Sequence, residues 1–238
     1  QLGAPSFRLV GLENFSNTFA AADTYALGFR RVAMIAPNNA YGQGVFEGYK
    51  AEFEKLGGKV VTEVLYTAGQ STYRRELQQM ARSNPDAYVY TAYGQESAVI
   101  NREAEELGLR KVPWYAILMT MSLSDTPPAI ANGQFGMELG SVQGAAGKAY
   151  ADAFKAKYKE GFKTSYTGYG YDGVLISAAA IEKAKATTPA AIQAALKELG
   201  SGAGYIGATG TIRFDQDRQR IDPPYDKHKF EGGQLVPR

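Results

Sequence analysis

Three sets of polar or aromatic residues follow short apolar runs and are candidates to meet on a small molecule. They are Tyr41 after Val32-Ala-Met-Ile-Ala36, Tyr93 after Ala87 to Thr91, and Met119-Thr120 after Trp114 to Leu118. If the runs are parallel strands, their C-terminal ends share one sheet edge, which is where open α/β sheets bind ligands. Rings, hydroxyls and a thioether there suit recognition rather than covalent chemistry. Catalytic alternatives fail on residue type: Cys is absent and His occurs once, at His228. Zinc clusters of thiolate or imidazole, Cys/His nucleophile pairs and CxxC redox chemistry cannot be built. His228 sits in the polar run Asp226-Lys-His-Lys229 and reads as an exposed histidine, not a triad member. Glu103, Glu105 and Glu106 read as the solvated face of a helix, not as paired acid and base.

Gly168-Tyr-Gly-Tyr-Asp-Gly173 matches GxGxxG letter by letter, but Lys159 to Ser165 ahead of it is no apolar strand. A dinucleotide needs that strand, so no cofactor is expected, and Gly147-Lys148 followed by Ala149 makes no Walker A loop.

The elements that must position these residues begin at Arg31 as a βαβ rhythm, the signature of a parallel sheet. Val32–Ala36, Lys59–Tyr66, Ala87–Thr91, Trp114–Leu118 and Phe135–Leu139 read as strands. Between them, Tyr41, Val45, Phe46, Tyr49, Phe53 and Leu56 share one helix face, as do Tyr73, Leu77 and Met80, and then Val99, Ile100, Ala104 and Leu107. After Gly144 the chain turns helix-rich: Lys148–Lys159, Tyr171–Lys185, and Pro189–Leu199 with Thr188 as N-cap. Thr211–Phe214, Lys227–Glu231 and Gln234–Val236 read as closing strands. The fold class is α/β, a Rossmann-like doubly wound sheet. One mismatch stands out: Val174, Leu175, Ala178 and Ile181 need a surface to cover, and the five upstream strands already have helices. Either the late helices pack on a sheet outside this sequence, or the domain is larger than this reading.

The 238 residues are 45% hydrophobic and 21% charged, which excludes disordered, collagenous and coiled-coil classes. Lys+Arg of 26 against Asp+Glu of 24, with no basic run, argues against nucleic acid as a partner. No apolar stretch nears the ~18 residues of a membrane span, so direct membrane insertion is not expected.

Arg31-Val-Ala-Met-Ile-Ala-Pro-Asn-Asn-Ala-Tyr-Gly-Gln-Gly44 and Lys55-Leu-Gly-Gly-Lys-Val-Val61 resemble the periplasmic solute-binding proteins of branched-chain amino acid type ABC transporters. Asn84-Pro-Asp-Ala-Tyr-Val-Tyr90, Tyr93-Gly94, Tyr169-Gly-Tyr-Asp-Gly173 and Thr209-Gly-Thr-Ile-Arg-Phe-Asp215 follow in the family's order. Phe7-Arg8 and Gly11-Leu12 resemble its first interlobe crossing. The resemblance implies a periplasmic binding protein, type I fold, whose two lobes close on a small ligand. Residues 10–135 would be the second lobe, 140–208 the remnant of the first, and 209–238 the hinge return with C-terminal strands. On the order of a hundred residues of the first lobe would then precede this sequence. Also implied are a membrane permease as partner and a periplasmic location, or an extracytoplasmic lipid-anchored one in a Gram-positive organism. A ligand-sensing domain of a receptor or regulator with the same fold stays open as the alternative.

The resemblance assigns Tyr41, Tyr93 and Tyr171 to the ligand; Met119 and Thr120 follow the fourth strand beside them, and Glu13 or Asn14 near the hinge is expected to supply a compensating polar group. Met119 stands where amino-acid binders of the family carry the acid that holds the ligand's ammonium. A buried ammonium without a carboxylate costs several kcal/mol, so an α-amino acid fits poorly unless another acid reaches in. An amino-acid-like compound or, favoured, a small carboxylate, aromatic ones included, is the expected ligand.

Overall fold

The computed structural model describes residues 6–238. In chain order the first elements are α1 (Glu13–Ala26), β1 (Arg31–Pro37), α2 (Ala40–Lys55), β2 (Lys59–Tyr66), α3 (Arg74–Ala81) and β3 (Ala87–Tyr90). Then come α4 (Gly94–Glu106), β4 (Trp114–Ile117), α5 (Met119–Ser122), α6 (Pro128–Ala131), β5 (Phe135–Leu139), α7 (Gly144–Tyr158) and α8 (Tyr166–Ala184). The chain closes with α9 (Pro189–Leu199), β6 (Tyr205–Gly207), β7 (Gly210–Phe214), β8 (Arg220–Ile221), β9 (Tyr225–Glu231) and β10 (Gln234–Pro237). It divides into a sheet unit, Glu13–Glu138 with Tyr225–Arg238, and a helical unit, the residues up to Leu12 with Leu139–Pro224. The closing segment is therefore shared: Thr209–Pro224 stay with the helical unit and Tyr225–Arg238 extend the sheet.

The sheet unit carries seven strands in the order β10-β9-β5-β4-β3-β1-β2. Strands β1 to β5 pair in parallel, and β10 pairs antiparallel with β9. The run β2-β1-β3-β4-β5 is a doubly wound order in which the winding reverses between β1 and β3. Ala33, Ile35, Tyr88, Tyr90, Trp114 and Ala116 form one buried face, covered by Leu77 and Met80 of α3 and Ile100 and Ala104 of α4. The other face belongs to α1 and α2: the Tyr115 hydroxyl donates to Asp23 of α1 at 2.9 Å. Helix α1 was not foreseen, because its stretch Glu13–Ala26 buries Ser16, Asn17, Asp23 and Thr24 rather than a large apolar stripe.

Glu103 corrects the expectation of a solvated helix face: it is 4% exposed. Its carboxylate accepts from Tyr73 N and Thr72 Oγ1, both at 2.7 Å, so it ties α4 to the start of α3.

Burial pushes the hydroxyls of Tyr49, Tyr90 and Tyr115 well above their ordinary pKa, with Asp23 reinforcing the effect at Tyr115. The unfolded chain releases these protons first, so the stability that the neutral hydroxyls contribute is whole below about pH 10 and is lost as pH rises beyond it. Melting temperature is therefore expected to fall above about pH 10, with part of the tyrosinate absorbance appearing only together with loss of helix signal. Complete tyrosine titration in a still folded chain would contradict this burial.

The helical unit packs α7, α8 and α9 with a three-stranded antiparallel sheet, β6-β7-β8. Gly168 to Gly173 lie inside α8, not in a strand-to-helix turn, so the GxGxxG letters have no phosphate-binding geometry. Gly168 is required there by close packing, since a Cβ would fall 2.4 Å from the Ser141 carbonyl oxygen. Helix α8 is apolar on two sides: Tyr169, Ile176 and Ala180 are buried, while Tyr171, Val174, Leu175 and Ile181 are exposed. Among the described residues, no helix is long and apolar enough to cross a membrane.

Candidate functional site

The winding reverses between β1 and β3, the place where open α/β sheets bind their ligands, and the residues just beyond the C-terminal ends of these strands are Tyr41 and Tyr93. Asn39 caps α2 by accepting from Gly42 N at 2.9 Å, which holds Tyr41 in the first turn. Tyr93 is the extended residue before α4. Their ring centroids are 6.1 Å apart, tilted by 39°, and both rings are half-buried. The Tyr41 hydroxyl shares a hydrogen bond with Thr91 Oγ1 at 3.2 Å. Ser122 Oγ lies 3.5 Å from Thr91 Oγ1 and also donates to Ile117 O at 2.7 Å. Polar contacts thus run without a break from α2, across the end of β3, to α5.

Leu118 takes a left-handed conformation, φ 56°, which lets β4 turn directly into α5. The single turn places Met119 and Thr120 differently. Met119 is fully buried in the core of the sheet unit. Gly136 makes this seat: a Cβ there would fall 2.4 Å from Met119 Cγ and 2.4 Å from the Ala116 carbonyl oxygen. Met119 therefore underlies the edge instead of walling it, and Thr120, half-buried, is what this turn offers. Gly136→Ala is expected to lose about 1–3 kcal/mol through overpacking and to loosen α5; an unchanged denaturation midpoint would contradict the tight seat.

Residue types at strand ends could not reveal Glu138. This residue at the end of β5 is 3% exposed, and its Oε2 accepts from Thr120 N at 2.6 Å. In sequence it reads only as the polar member of Phe135-Gly-Met-Glu-Leu139. Asn14 is exposed in the first turn of α1, next to Glu13, whose Oε2 lies 3.8 Å from where a Cβ on Gly44 would stand. Tyr41 and Tyr93 are thus brought together in the sheet unit, and Thr120 stands just beyond the neighbouring strand β4. Tyr171 belongs to the helical unit, where it stacks on Tyr150 with centroids 3.8 Å apart. There it lines an open groove of about 590 Å³ with Phe154, Tyr158, Leu175 and Ile206. Among the described residues no group of His, Cys, Asp and Glu has the makings of a metal site.

The Leu/Ile/Val-binding protein homolog 3 of Brucella melitensis is 26% identical over 214 residues, covering 87% of this chain and 56% of that relative. A leucine-binding protein from Thermotoga maritima superposes with a TM-score of 0.84 at 21% identity, over 98% of this chain and 66% of its own. A solute-binding protein of R. palustris, solved with benzoate, gives a TM-score of 0.78 at 17% identity, over 94% and 62%. The chain thus spans a little over half of the Brucella relative and under two thirds of either solved structure. The family profile of periplasmic binding proteins matches residues 7–226. The chain belongs to the periplasmic binding protein family.

Proposed function

We propose that this chain serves an extracytoplasmic solute-binding protein of an ABC importer, which captures a small organic acid or amino-acid-like compound and delivers it chemically unchanged to a membrane permease. The observation that supports this reading is the pairing of Tyr41 and Tyr93 just beyond the strand ends where the winding of the sheet reverses, with Thr120 after the neighbouring strand β4. Rings there supply apolar contact and the hydroxyls fix orientation. The Brucella relative named for leucine, isoleucine and valine, and the R. palustris neighbour solved with benzoate, support amino acids and aromatic carboxylates as the first compounds to try. Tyr171, on the helical unit, enters the ligand set through the family resemblance alone.

We propose further that the helical unit is the remainder of a larger lobe. Its open face, with Val174 69% and Ile206 65% exposed, has the character of a surface awaiting cover. Relatives longer than this chain support that reading.

The experiment is a melting-shift screen of the common amino acids and small carboxylates, followed by mass analysis of each compound that shifts. A binder stabilises by about 2.7 kcal/mol at a hundredfold excess over its dissociation constant and is recovered intact. Conversion of a compound that binds would overturn the reading in favour of an enzyme.

A further inference from the structure

At the edge of the sheet unit opposite Tyr41 and Tyr93, a guanidinium has more donors than the chain has acceptors for it. Arg110 stands in the single turn Leu109–Lys111, which leads into the start of β4, so it belongs to the N-terminal end of the parallel strands. Its side chain is 14% exposed. Nη2 donates to Ile130 O at 2.7 Å. The Gln134 amide, oriented by its neighbours, accepts through its oxygen from Nη1 at 2.6 Å and from Nη2 at 3.1 Å. These contacts leave the Nε–H and one Nη1 hydrogen without a hydrogen-bond acceptor among the described residues. Glu105 Oε2 stands 4.0 Å from Nε, too far for a hydrogen bond, on a side chain that is 56% exposed. Burial lowers the pKa of Arg110 although Tyr90 and Glu105 oppose the shift, so the charge is desolvated without full compensation. It nevertheless stays positive at neutral pH.

Arg110 lines a cavity of about 180 Å³, walled on its apolar sides by Val112, Pro113, Trp114 and Ile130. Asn132 lines it too, and uses its side-chain oxygen on Gly232 N at 3.2 Å, which leaves its amide hydrogens as further donors. We propose that this cavity binds a small carboxylate, held by the Arg110 guanidinium and the Asn132 amide, with its carbon chain against the apolar walls. Charge-assisted bonds from a guanidinium to a carboxylate are strong where water is scarce. One guanidinium suits a single negative charge better than the greater charge of phosphate, because Glu105 at the rim repels the excess. Glu105 is also the ligand's competitor within the chain, since its carboxylate lies nearest the open Nε–H. This second site is independent of the solute-binding reading above and stands or falls without it.

The test uses the one tryptophan of the chain, Trp114, whose ring centre is 5.7 Å from the Arg110 guanidinium carbon. Its indole N–H cross-peak reports on the cavity while the 238-residue chain is titrated with butanoate at constant ionic strength. A saturating shift with a midpoint of about 1–10 mM is expected, with little or none from butylammonium and weaker binding of inorganic phosphate. Glu105→Gln removes the competitor and should tighten butanoate binding by about threefold or more, whereas Arg110→Gln should weaken it by about tenfold or more. The Tyr41→Ala/Tyr93→Ala double variant should keep the shift. A drift that does not saturate, a shift equalled by butylammonium, or unchanged affinity in either Glu105→Gln or Arg110→Gln overturns the inference. The Glu105→Gln reading holds even if Arg110→Gln does not fold, because Glu105 is exposed. Loss of the shift in the double tyrosine variant would move butanoate to the strand-end site and overturn the inference as well, and tighter binding of phosphate than of butanoate would overturn the assignment to a carboxylate.

Discussion

Asp172→Ala is expected to lose roughly 3–5 kcal/mol and to melt the helical unit ahead of the sheet unit. Asp172 is fully buried on α8 and accepts from Ala208 N at 2.6 Å, Thr209 N at 2.8 Å and Thr209 Oγ1 at 2.6 Å. The same threonine hydroxyl accepts from Arg220 Nη1 at 2.8 Å, and Arg220 Nη2 donates to the Thr209 carbonyl at 2.7 Å. One carboxylate therefore satisfies two backbone amides directly and balances a buried guanidinium through a shared hydroxyl. Removing it leaves both amides and the Thr209 hydroxyl proton without their acceptor and takes the nearby negative charge from the buried guanidinium, which keeps its carbonyl acceptors. Asp172→Asn keeps one acceptor oxygen and should lose less. Hydrogen exchange resolved along the chain checks the result: protection should fall across residues 144–224 while β1 to β5 stay protected. A loss below about 1 kcal/mol would mean that the network is incidental to the fold.

The second large effect is on binding. Tyr41→Ala and Tyr93→Ala should each weaken ligand affinity by about tenfold or more, and the double variant should abolish measurable binding. Both rings are half-buried at the sheet edge, not set in its core, so the melting temperature of the unliganded chain should change little. Tyr41→Phe isolates the hydroxyl that meets Thr91 and should cost less than Tyr41→Ala. Unchanged affinity in both alanine variants would remove these residues from the ligand's surroundings.

What the residues disclosed beforehand followed from local physics. Strands β2 and β5 have the bounds expected from their apolar runs, and β1, β3 and β4 differ by a residue at one or both ends, because Gly, Pro and Asn punctuate those runs. Tyr41 and Tyr93 were legible as a pair because a parallel sheet aligns strand ends whatever lies between them. Other features depend on partners distant in sequence. Helix α1 escaped notice because its buried polar residues are satisfied from afar; Asn17, for instance, donates to Gly44 O at 3.1 Å. Helix α8 begins at Tyr166 instead of Tyr171, with Gly168 and Gly170 inside it, and Gly168 answers to the close approach of Ser141, a partner distant in sequence. Glu103 and Glu138 are single charges in stretches that read as ordinary helix and strand. Their burial became visible only when Thr72, Tyr73 and Thr120 were found to be their donors.

The measurement that tests the central claim most directly is saturation-transfer NMR of the 238-residue chain with a mixture of amino acids and small carboxylates, repeated with the Tyr41→Ala/Tyr93→Ala double variant. It registers weak, rapidly exchanging binding, which suits a chain that spans only part of its relatives' length, and a native mass spectrum of the same mixture registers a ligand held too tightly to exchange. Transfer to one compound or a narrow group, lost in the double variant, is the predicted result. Transfer to none with no ligand-bound mass, or binding that survives removal of both tyrosines, would contradict a ligand site at the β1 and β3 strand ends.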